Sequence, residues 1–256
     1  DRDSLFIDID KNTLEGRMQK LLSGDFDATF RNEYRVKNSS GYKMTEQLHG
    51  KVFDEIHIQP IQYRPFDYQW IYYEPGLISR PAFLAVKHIY LKENLALLTS
   101  RSFPANQPFD RVLATRAIPD IHSASDQTYV FPLYTFDNDI KILNLKTEIV
   151  SDIGKIVDKV TGEDIFDYIY AVLHSPNYRE KYKEFLKIDF PRVPYPKDKK
   201  QFEGLVALGR ELREIHLLES PKVSEFITTY PVSGSDTVEK ISYKNSNVYI
   251  NSEQYF

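Results

Sequence analysis

The chain contains 256 residues with a formal net charge of −4, and its 41% hydrophobic and 27% charged content is typical of a globular protein. It has no cysteine, which excludes disulfides, thiolate catalysis and cysteine-ligated zinc. No apolar run reaches the ~20 residues of a membrane span and no secretory signal opens the chain, so the sequence predicts a cytoplasmic protein with no membrane partner.

Residues 1–50 have the pattern of a helical lead-in. The first helix is predicted by apolar residues at i, i+4, i+7 and i+8, namely Leu14, Met18, Leu21 and Leu22. A second, more polar helix is expected through Phe30 and Tyr34, and a short third helix is expected to end near Gly50.

Residues 51–160 carry the strand signals. Alternating or short apolar segments are separated by proline and polar turns, and they read IHIQPIQY, WIYY, NLALLTS, RVLATRAI and YVFPLYTF. Only FLAVKHIY has helical periodicity in this region. The pattern predicts a mixed sheet with irregular loops, and long loops on a rigid scaffold are where binding residues usually lie.

One stretch of this region, YRPFDYQWIYYEP at residues 63–75, concentrates aromatic rings around the chain's only tryptophan. Such a segment could be a core strand with a charged cap, a platform on which nucleic-acid bases stack, or a shelf that binds carbohydrate. Composition alone leaves all three uses open.

Residues 161–220 are predicted to be helical. A continuous stripe runs from Gly162 to the stop at Ser175-Pro176, formed by Ile165, Phe166, Ile169, Tyr170 and Leu173. Pro176 suits the first turn of the next helix, whose apolar positions are Tyr178, Tyr182, Phe185 and Leu186. Three prolines then force an extended connector, namely Pro191, Pro194 and Pro196. The helix after it has one apolar side, formed by Phe202, Leu205, Val206, Leu212 and Ile215.

Residues 221–256 return to a strand-rich texture. VEKISY and NVYIN flank Lys244-Asn245-Ser246, which predicts a hairpin. The chain begins at Asp1 and stops at Phe256 inside a strand-like alternation, so both ends are expected to be cuts in a longer protein.

The negative net charge argues against a nucleic-acid partner until its distribution is considered. From Gly76 to Ile118 six cations outnumber two acids by four, so the rest of the chain carries −8. The six cations are Arg80, Lys87, Lys92, Arg101, Arg111 and Arg116. A basic segment in an acidic frame could hold DNA phosphates, although an ordinary solvated surface has the same composition.

Several chemical motifs are missing. The sequence has no GxxxxGK[ST], GxGxxG or GxSxG, and it has no Pro-Pro pair of the kind with which amino-methyltransferases grip a flipped base. The six histidines lack metal-ligand spacing, and His174 and His216 on the predicted helices are expected to have capping or packing roles. No catalytic residue and no metal site is therefore predicted.

The segment AIPDIHSASDQTY is dense in directional donors and acceptors. Four of its side chains could meet base edges, namely His122, Ser123, Ser125 and Gln127. An ordinary polar connection between two strands would have the same composition.

The longer segments carry a family resemblance. The chain contains IQYRPFDYQWIYYEPGLISRP, ENLALLTSR and RVLATRAIPDIHS, followed by EDIFDYIYAVLHSPNYREKYKEFLKIDFPRVPYPKD and LVALGRELREIHLLE. In this order they resemble the C-terminal specificity domain of type ISP restriction-modification enzymes and related adenine-specific DNA methylases. The block from IFDYIYAVLHSPNYR to PRVPYP is the most specific part of the match, and YRPFDYQWIYYEP comes second.

This resemblance implies an α+β fold, in which a twisted mixed β-sheet target recognition region is flanked by an N-terminal helical lead-in and C-terminal helices. It implies that residues 1–50 lead in from a methyltransferase region, 51–160 recognise double-stranded DNA, 161–220 dock on the methyltransferase domain of the same chain, and 221–256 form a truncated end. Other domains would then methylate adenine and cleave DNA. S-adenosylmethionine, Mg²⁺ and ATP would belong to those domains, and this fragment itself would have no cofactor and no catalytic role.

On this resemblance the candidate DNA contacts fall into three groups. Arginine is the best reader of guanine, so the first candidates are Arg64, Arg80, Arg101 and Arg116. The phosphate candidates are Lys87, Lys92 and Arg111. The loop candidates are His122, Ser123, Ser125 and Gln127. For Arg64 a structural ion pair is the favoured interpretation, with Arg64 and Asp67 tying strand ends while the rings of residues 63–75 build scaffold.

Two other classes of function stay open at this stage. The helical third could make the fragment a protein-interaction or docking module without base contacts, in which the aromatic cluster fills an interface. A glycosidase with paired carboxylates is a second rival, because aromatic rings also bind sugars, but no such pair stands out in the sequence.

Overall fold

The fold was determined as a computed structural model that describes residues 3–79, 82–102, 109–124 and 127–256. The helices in these ranges are α1 (Asp3–Phe6), α2 (Lys11–Ser23), α3 (Ala28–Glu33), α4 (Met44–Gln47), α5 (Phe83–Val86), α6 (Thr147–Val157), α7 (Gly162–His174), α8 (Pro176–Lys181), α9 (Lys183–Leu186) and α10 (Lys199–His216). The strands are β1 (Ile7–Asp8), β2 (Ile58–Arg64), β3 (Asp67–Tyr72), β4 (Ala96–Thr99), β5 (Val112–Thr115), β6 (Ile118–Pro119), β7 (Tyr129–Pro132), β8 (Tyr134–Asp137), β9 (Ile140–Leu143), β10 (Ser242–Lys244) and β11 (Asn247–Tyr249). The expected α+β class is confirmed.

The predicted first helix is α2. Asp10 caps it by accepting a hydrogen bond from the backbone of Thr13, and Gly24 ends it with a left-handed φ of 77°. The side chains of Leu14, Met18 and Leu21 are buried, as the periodicity predicted. They pack in one core cluster with Ile58 and Tyr72 of the first sheet.

The first sheet has the strand order β1-β3-β2-β6 and is mixed, because β6 runs parallel to β2 while the other pairs are antiparallel. Residues 63–75 form the tip of the β2–β3 hairpin and all of β3. Tyr72 and Tyr73 are 0% and 3% exposed, so these rings are part of the core. This geometry supports the scaffold interpretation of the aromatic segment.

The second sheet is antiparallel with the order β5-β4-β7. The described residues contain two further two-stranded sheets, β8–β9 and the separately predicted β10–β11, so the strands of the region predicted as one mixed sheet belong to several small sheets. Strands β6 and β7 end at Pro119 and Pro132, and proline has no N–H with which to continue a ladder. The prolines therefore help to end these two strands.

Helices α7 and α10 pack closely against each other and cover the second sheet. A capping box between Thr161 and Asp164 begins α7. The predicted second helix of this region is broken at Tyr182 into α8 and α9, so Phe185 is 72% exposed instead of belonging to a continuous apolar stripe. Helix α10 begins after the extended connector that the prolines predicted.

Residues 218–256 form a separate compact unit, and the residues up to Leu217 form the other. In the smaller unit β10 and β11 form the predicted hairpin, with the two-residue turn Asn245-Ser246 at φ of 53° and 64°. Two residues with positive φ match the right-handed twist of the strands. Among the described residues, no helix is both long and apolar enough to cross a membrane.

Candidate nucleic-acid interface

Strand register brings three connections to one end of the second sheet. Thr99 at the end of β4 pairs with Val112 at the start of β5 and with Tyr129 at the start of β7. The segments 100–102, 109–111 and 127–128 therefore lie side by side, and we call them the loop end of the second sheet. Among the candidate side chains, Arg101, Arg111 and Gln127 are at this end.

The connection from β6 to β7 joins this end to the first sheet. Residues 120–124 follow the parallel β2–β6 pair, in which Gln62 is opposite Pro119. The backbone N–H of Thr128 donates to the carbonyl of Ile121 at 2.8 Å, which closes the connection into a loop. Arg64 at the end of β2 is thereby placed beside the same connection.

Arg64 forms the ion pair that the sequence favoured, and its backbone lies opposite Asp67 in the β2–β3 pair. Its Nη1 is 2.9 Å from Oδ1 of Asp120, and its guanidinium is 4.0 Å from the ring centre of Tyr63. The side chain of Asp67 accepts a hydrogen bond from the side chain of Gln69 at 3.1 Å. The Arg64 side chain is still 41% exposed, so part of its donor edge faces solvent.

The candidate loop around His122 is fixed from inside. Oδ1 of Asp120 also accepts a hydrogen bond from the backbone N–H of His122 at 2.9 Å. Oγ of Ser123 lies 2.5 Å from the carbonyl oxygen of Gln62 and 2.8 Å from that of Asp120, and Ser123 is 0% exposed. The side chains of Ile121 and His122 are exposed. In this geometry Ser123 holds the loop while His122 faces solvent.

We expect Ser123→Ala to lower the free energy of unfolding by about 1 kcal/mol, because it removes a buried hydroxyl whose acceptors stay in place. Urea denaturation measures the change. Ser151→Ala is the matched control, because Ser151 is exposed on α6 and should change stability by less than about 0.5 kcal/mol. Equal effects of the two substitutions would contradict the fixing role of Ser123.

The two arginines of the loop end have acidic neighbours. Nε of Arg101 is 3.0 Å from Oδ1 of Asp189, and both side chains are more than half exposed. Nε of Arg111 is 3.9 Å from Oδ1 of Asp110, a long contact. An exposed pair such as Arg101–Asp189 contributes little to stability, so Arg101 can exchange its carboxylate for another anion. The side chain of Arg111 is only 25% exposed.

The other described candidates lie towards the opposite end of the second sheet. Arg116 follows β5, Lys92 pairs with Asp139, and Lys87 is exposed at the end of α5. The four residues of β4 separate the two ends by about 13 Å. Arg80 and Ser125 lie outside the described residues, so the structure does not place them.

A further basic segment, which the charge count over 76–118 left out, adjoins the loop end. In the connector of residues 187–198, Arg192, Lys197 and Tyr195 are exposed. The ring of Phe190 packs edge-on against Tyr129 and Phe131 of β7, at 5.0 and 5.4 Å between ring centres. The sequence signal that could have indicated this basic segment is the alternation of proline with basic residues in FPRVPYPKDKK.

His174 and His216 pack inside the helical region, which is one of the roles that the sequence left open for them. Nδ1 of His174 lies 2.8 Å from the carbonyl of Tyr170, and Nε2 lies 3.2 Å from that of Val112. Burial lowers the pKa of His174 to about 4 and also lowers the pKa of His216. No cluster of three or more metal-ligating side chains occurs in the part of the chain that the structure describes.

Comparison with known proteins places this geometry in a family context. The model of the Type ISP C-terminal specificity domain matches residues 1–256. No curated protein matches the chain. Among solved structures, a cryo-electron microscopy structure of a DrdV–DNA complex is 25% identical, with a TM-score of 0.65 over 90% of this chain and 23% of the other.

Two further structures share the fold. The ATP-dependent Type ISP restriction-modification enzyme LlaBIII bound to DNA is 18% identical, with a TM-score of 0.72 over 99% of this chain and 18% of the other. A nuclease-deletion mutant of the Type ISP enzyme LlaGI, in complex with a DNA substrate mimic, is 20% identical, with a TM-score of 0.68 over 99% of this chain and 21% of the other. The present chain spans about a fifth of the length of these proteins.

Proposed function

We infer that this chain, which belongs to the Type ISP C-terminal specificity domain family, recognises a specific sequence in double-stranded DNA. The observation that carries the inference is the convergence of the loop end with the loop of residues 120–124, which brings Arg64, Arg101, Arg111 and His122 to one side of a rigid two-sheet scaffold. Similar structures were solved with DNA, which supports the same partner here.

The geometry suggests how the work is divided among the side chains. A planar guanidinium can donate two hydrogen bonds to the major-groove edge of guanine, so we assign base reading to Arg101 and the exposed edge of Arg64. His122 and Gln127 extend from the neighbouring loop and can meet adjacent bases. Arg111 beside them would hold a phosphate and position the duplex.

The cations at the opposite end are compatible with the same duplex. The ~13 Å between the two ends of the second sheet is well below the ~34 Å of one helical turn of DNA. We therefore keep Lys87 and Lys92 as candidate phosphate contacts. Arg116 stays a candidate reader, and a reading role would require the groove to pass both ends of the sheet.

The remaining parts of the proposal concern the longer protein. We propose that this fragment is not itself catalytic and that it directs adenine methylation and DNA cleavage by other domains of the same polypeptide, in the cytoplasm. Those domains would bind S-adenosylmethionine, Mg²⁺ and ATP. The exposed apolar side chains of Phe185, Ile188 and Leu208 suit a role for the helical region in docking on the methyltransferase domain.

The test is a selection of duplexes from a random pool by the full-length protein, followed by affinity measurements across salt concentrations. The selection should return one sequence. Combined Arg101→Ala and Arg111→Ala substitutions should weaken binding by about 1–3 kcal/mol for each lost base contact, and each lost phosphate contact should make the salt dependence shallower by about 0.9 in log K against log salt.

Lys11→Ala is the matched control, because Lys11 is also a partly exposed cation that pairs with an acid, Glu55. Glu55 lies just before β2, at the end remote from Arg64 and roughly 20 Å away along the strand. The control should bind the selected duplex as tightly as the unmodified protein. Failure of the unmodified protein to prefer any sequence would overturn the proposed function.

A further inference from the structure

The ion pair between Arg101 and Asp189 joins two parts of the chain that are far apart in sequence. Arg101 follows β4 at the loop end, whereas Asp189 lies 88 residues later in the connector. Their side chains are 61% and 51% exposed, so water screens the pair and the fold does not depend on it. This exposed ion pair orients the Arg101 guanidinium, which stays at the surface and does not become part of the core.

Asp189 is held as a carboxylate. The backbone N–H of Phe190 and the side chain of Arg101 lower its pKa, and the charge of Arg192 acts in the same direction. The carboxylate therefore lies in the field of two arginines, Arg101 and Arg192. Arg101 holds this anion in a direct ion pair, and the exposed Arg192 follows three residues later in the same connector. A guanidinium that pairs with a carboxylate can pair in the same way with a DNA phosphate.

The connector places this anion on a rigid backbone. The hydroxyl of Tyr178 donates to the carbonyl of Arg192, and the hydroxyl of Tyr168 donates to the carbonyl of Pro194, both at 2.9 Å. Phe190, next to Asp189, is packed against β7. The backbone is fixed at these points, while the side chains of Asp189 and Arg192 project into solvent.

We propose that Asp189 is an intramolecular substitute for a DNA phosphate. It occupies Arg101 in the free protein, and it releases Arg101 when a duplex of arbitrary sequence places a phosphate beside Arg101 and Arg192. On the recognised sequence the released Arg101 reads guanine instead. This inference rests on the proposed function and adds to it two residues, Asp189 and Arg192. As a consequence, the protein binds DNA of arbitrary sequence more weakly, because a phosphate must displace the Asp189 carboxylate before it can contact Arg101.

The salt dependence of binding separates this role from a structural one. When Arg101 exchanges Asp189 for a phosphate, the freed carboxylate lies beside the DNA and repels it, and salt screens this repulsion. Asp189→Asn removes the repulsion. The variant should therefore tighten binding at low salt by up to about fivefold and lose this gain at high salt, which makes the slope of log K against log salt steeper.

The experiment uses the full-length protein and a fluorescein-labelled duplex of arbitrary sequence, several helical turns long. Anisotropy titrations over a series of salt concentrations give the affinity and the slope for the unmodified protein, Asp189→Asn, Arg192→Ala, and Asp189→Asn combined with Arg101→Ala. Arg192→Ala should weaken binding and make the slope shallower by about 0.9. The variant that combines Asp189→Asn with Arg101→Ala should not bind DNA more tightly at low salt, because the arginine that Asp189→Asn frees is absent.

Glu55→Gln is the matched control, because it removes one carboxylate from another exposed ion pair, remote from the loop end. It should leave the slope unchanged, and thermal unfolding of each variant verifies that it is folded. If the unmodified protein binds DNA while Asp189→Asn changes neither affinity nor slope, this inference is wrong and the proposed function stands. A change in the selected sequence without a change in slope would also overturn it, since Asp189 would then be reading a base. Absence of DNA binding by the unmodified protein would instead count against the proposed function itself.

Discussion

Asparagine in place of Asp167 should lower the free energy of unfolding by about 3–5 kcal/mol. Asp167 on α7 is 0% exposed, and its carboxylate accepts hydrogen bonds from Arg213 of α10 at 2.6 and 3.1 Å and from Arg210 at 3.3 Å. The side chain of Arg213 is only 8% exposed. Removing the negative charge leaves a buried guanidinium without its counterion, which costs far more than the loss of a surface pair. Urea denaturation of the variant and the unmodified chain measures the difference.

Two further variants sharpen this prediction. Asp152→Asn removes a carboxylate from an exposed pair with Lys155 on α6 and should cost less than about 1 kcal/mol. Asp167→Leu combined with Arg213→Met replaces both buried charges by apolar side chains and should recover most of the lost stability. If Asp167→Asn were no more destabilising than Asp152→Asn, the buried pair could not be what holds α7 against α10.

Alanine in place of Gly209 should destabilise the chain by about 3 kcal/mol, the upper end of the usual cost of overpacking. A Cβ atom at this position of α10 would collide with the backbone carbonyl of Asp167, lying 2.7 Å from its carbon, and would lie 3.2 Å from Cβ of Ala171. The obstacle is the backbone of α7, so the two helices would have to separate along their whole contact. The free energy of unfolding in urea reports the loss.

Gly204 offers the control within the same helix. Nothing lies within 4 Å of a Cβ atom built there, so Gly204→Ala should stabilise the chain by about 0.5–1 kcal/mol through helix propensity alone. The two glycine substitutions should therefore have opposite signs. Destabilisation by both would mean that the effect of Gly209→Ala comes from something other than close helix contact.

Local pattern predicted the helices well because their apolar faces have a regular period. The stripe from Ile165 to Leu173 gave α7 with its end at His174, and the spacing of Leu14 and Met18 gave α2. The same reasoning placed Ile215 on the apolar side of α10 but could not show that Arg213 is buried there. Burial of Arg213 depends on Asp167, which lies 46 residues earlier in the chain.

Strand pairing was harder to predict from the sequence. Alternation of apolar and polar residues indicates a strand, but it does not indicate which other strand pairs with it. The pairing of Ile7 in β1 with Ile71 in β3 joins residues 64 positions apart, and β1 has only two residues from which to recognise it. Helix α6 and the β8–β9 hairpin were not predicted either. The division into small sheets depends on such distant pairings.

For the candidate site, composition selected the residues, and the strand register of the structure shows which of them lie near one another. Arg101 and Arg116 belong to the same basic segment, yet the register of β4 and β5 places them towards opposite ends of the second sheet. Asp189 and Arg192 were not predicted as site residues, because they lie outside the basic segment of residues 76–118. Only the fold brings the connector to Arg101.

The way in which the connector is held has a consequence for how this protein can change over evolutionary time. Tyr168 and Tyr178 bind the main-chain carbonyls of Pro194 and Arg192, and every amino acid carries the same carbonyl. A mutation that exchanges the side chain at position 192 leaves its anchor intact. Substitutions at position 192 can therefore change how strongly this edge attracts DNA while the backbone of the connector stays in place.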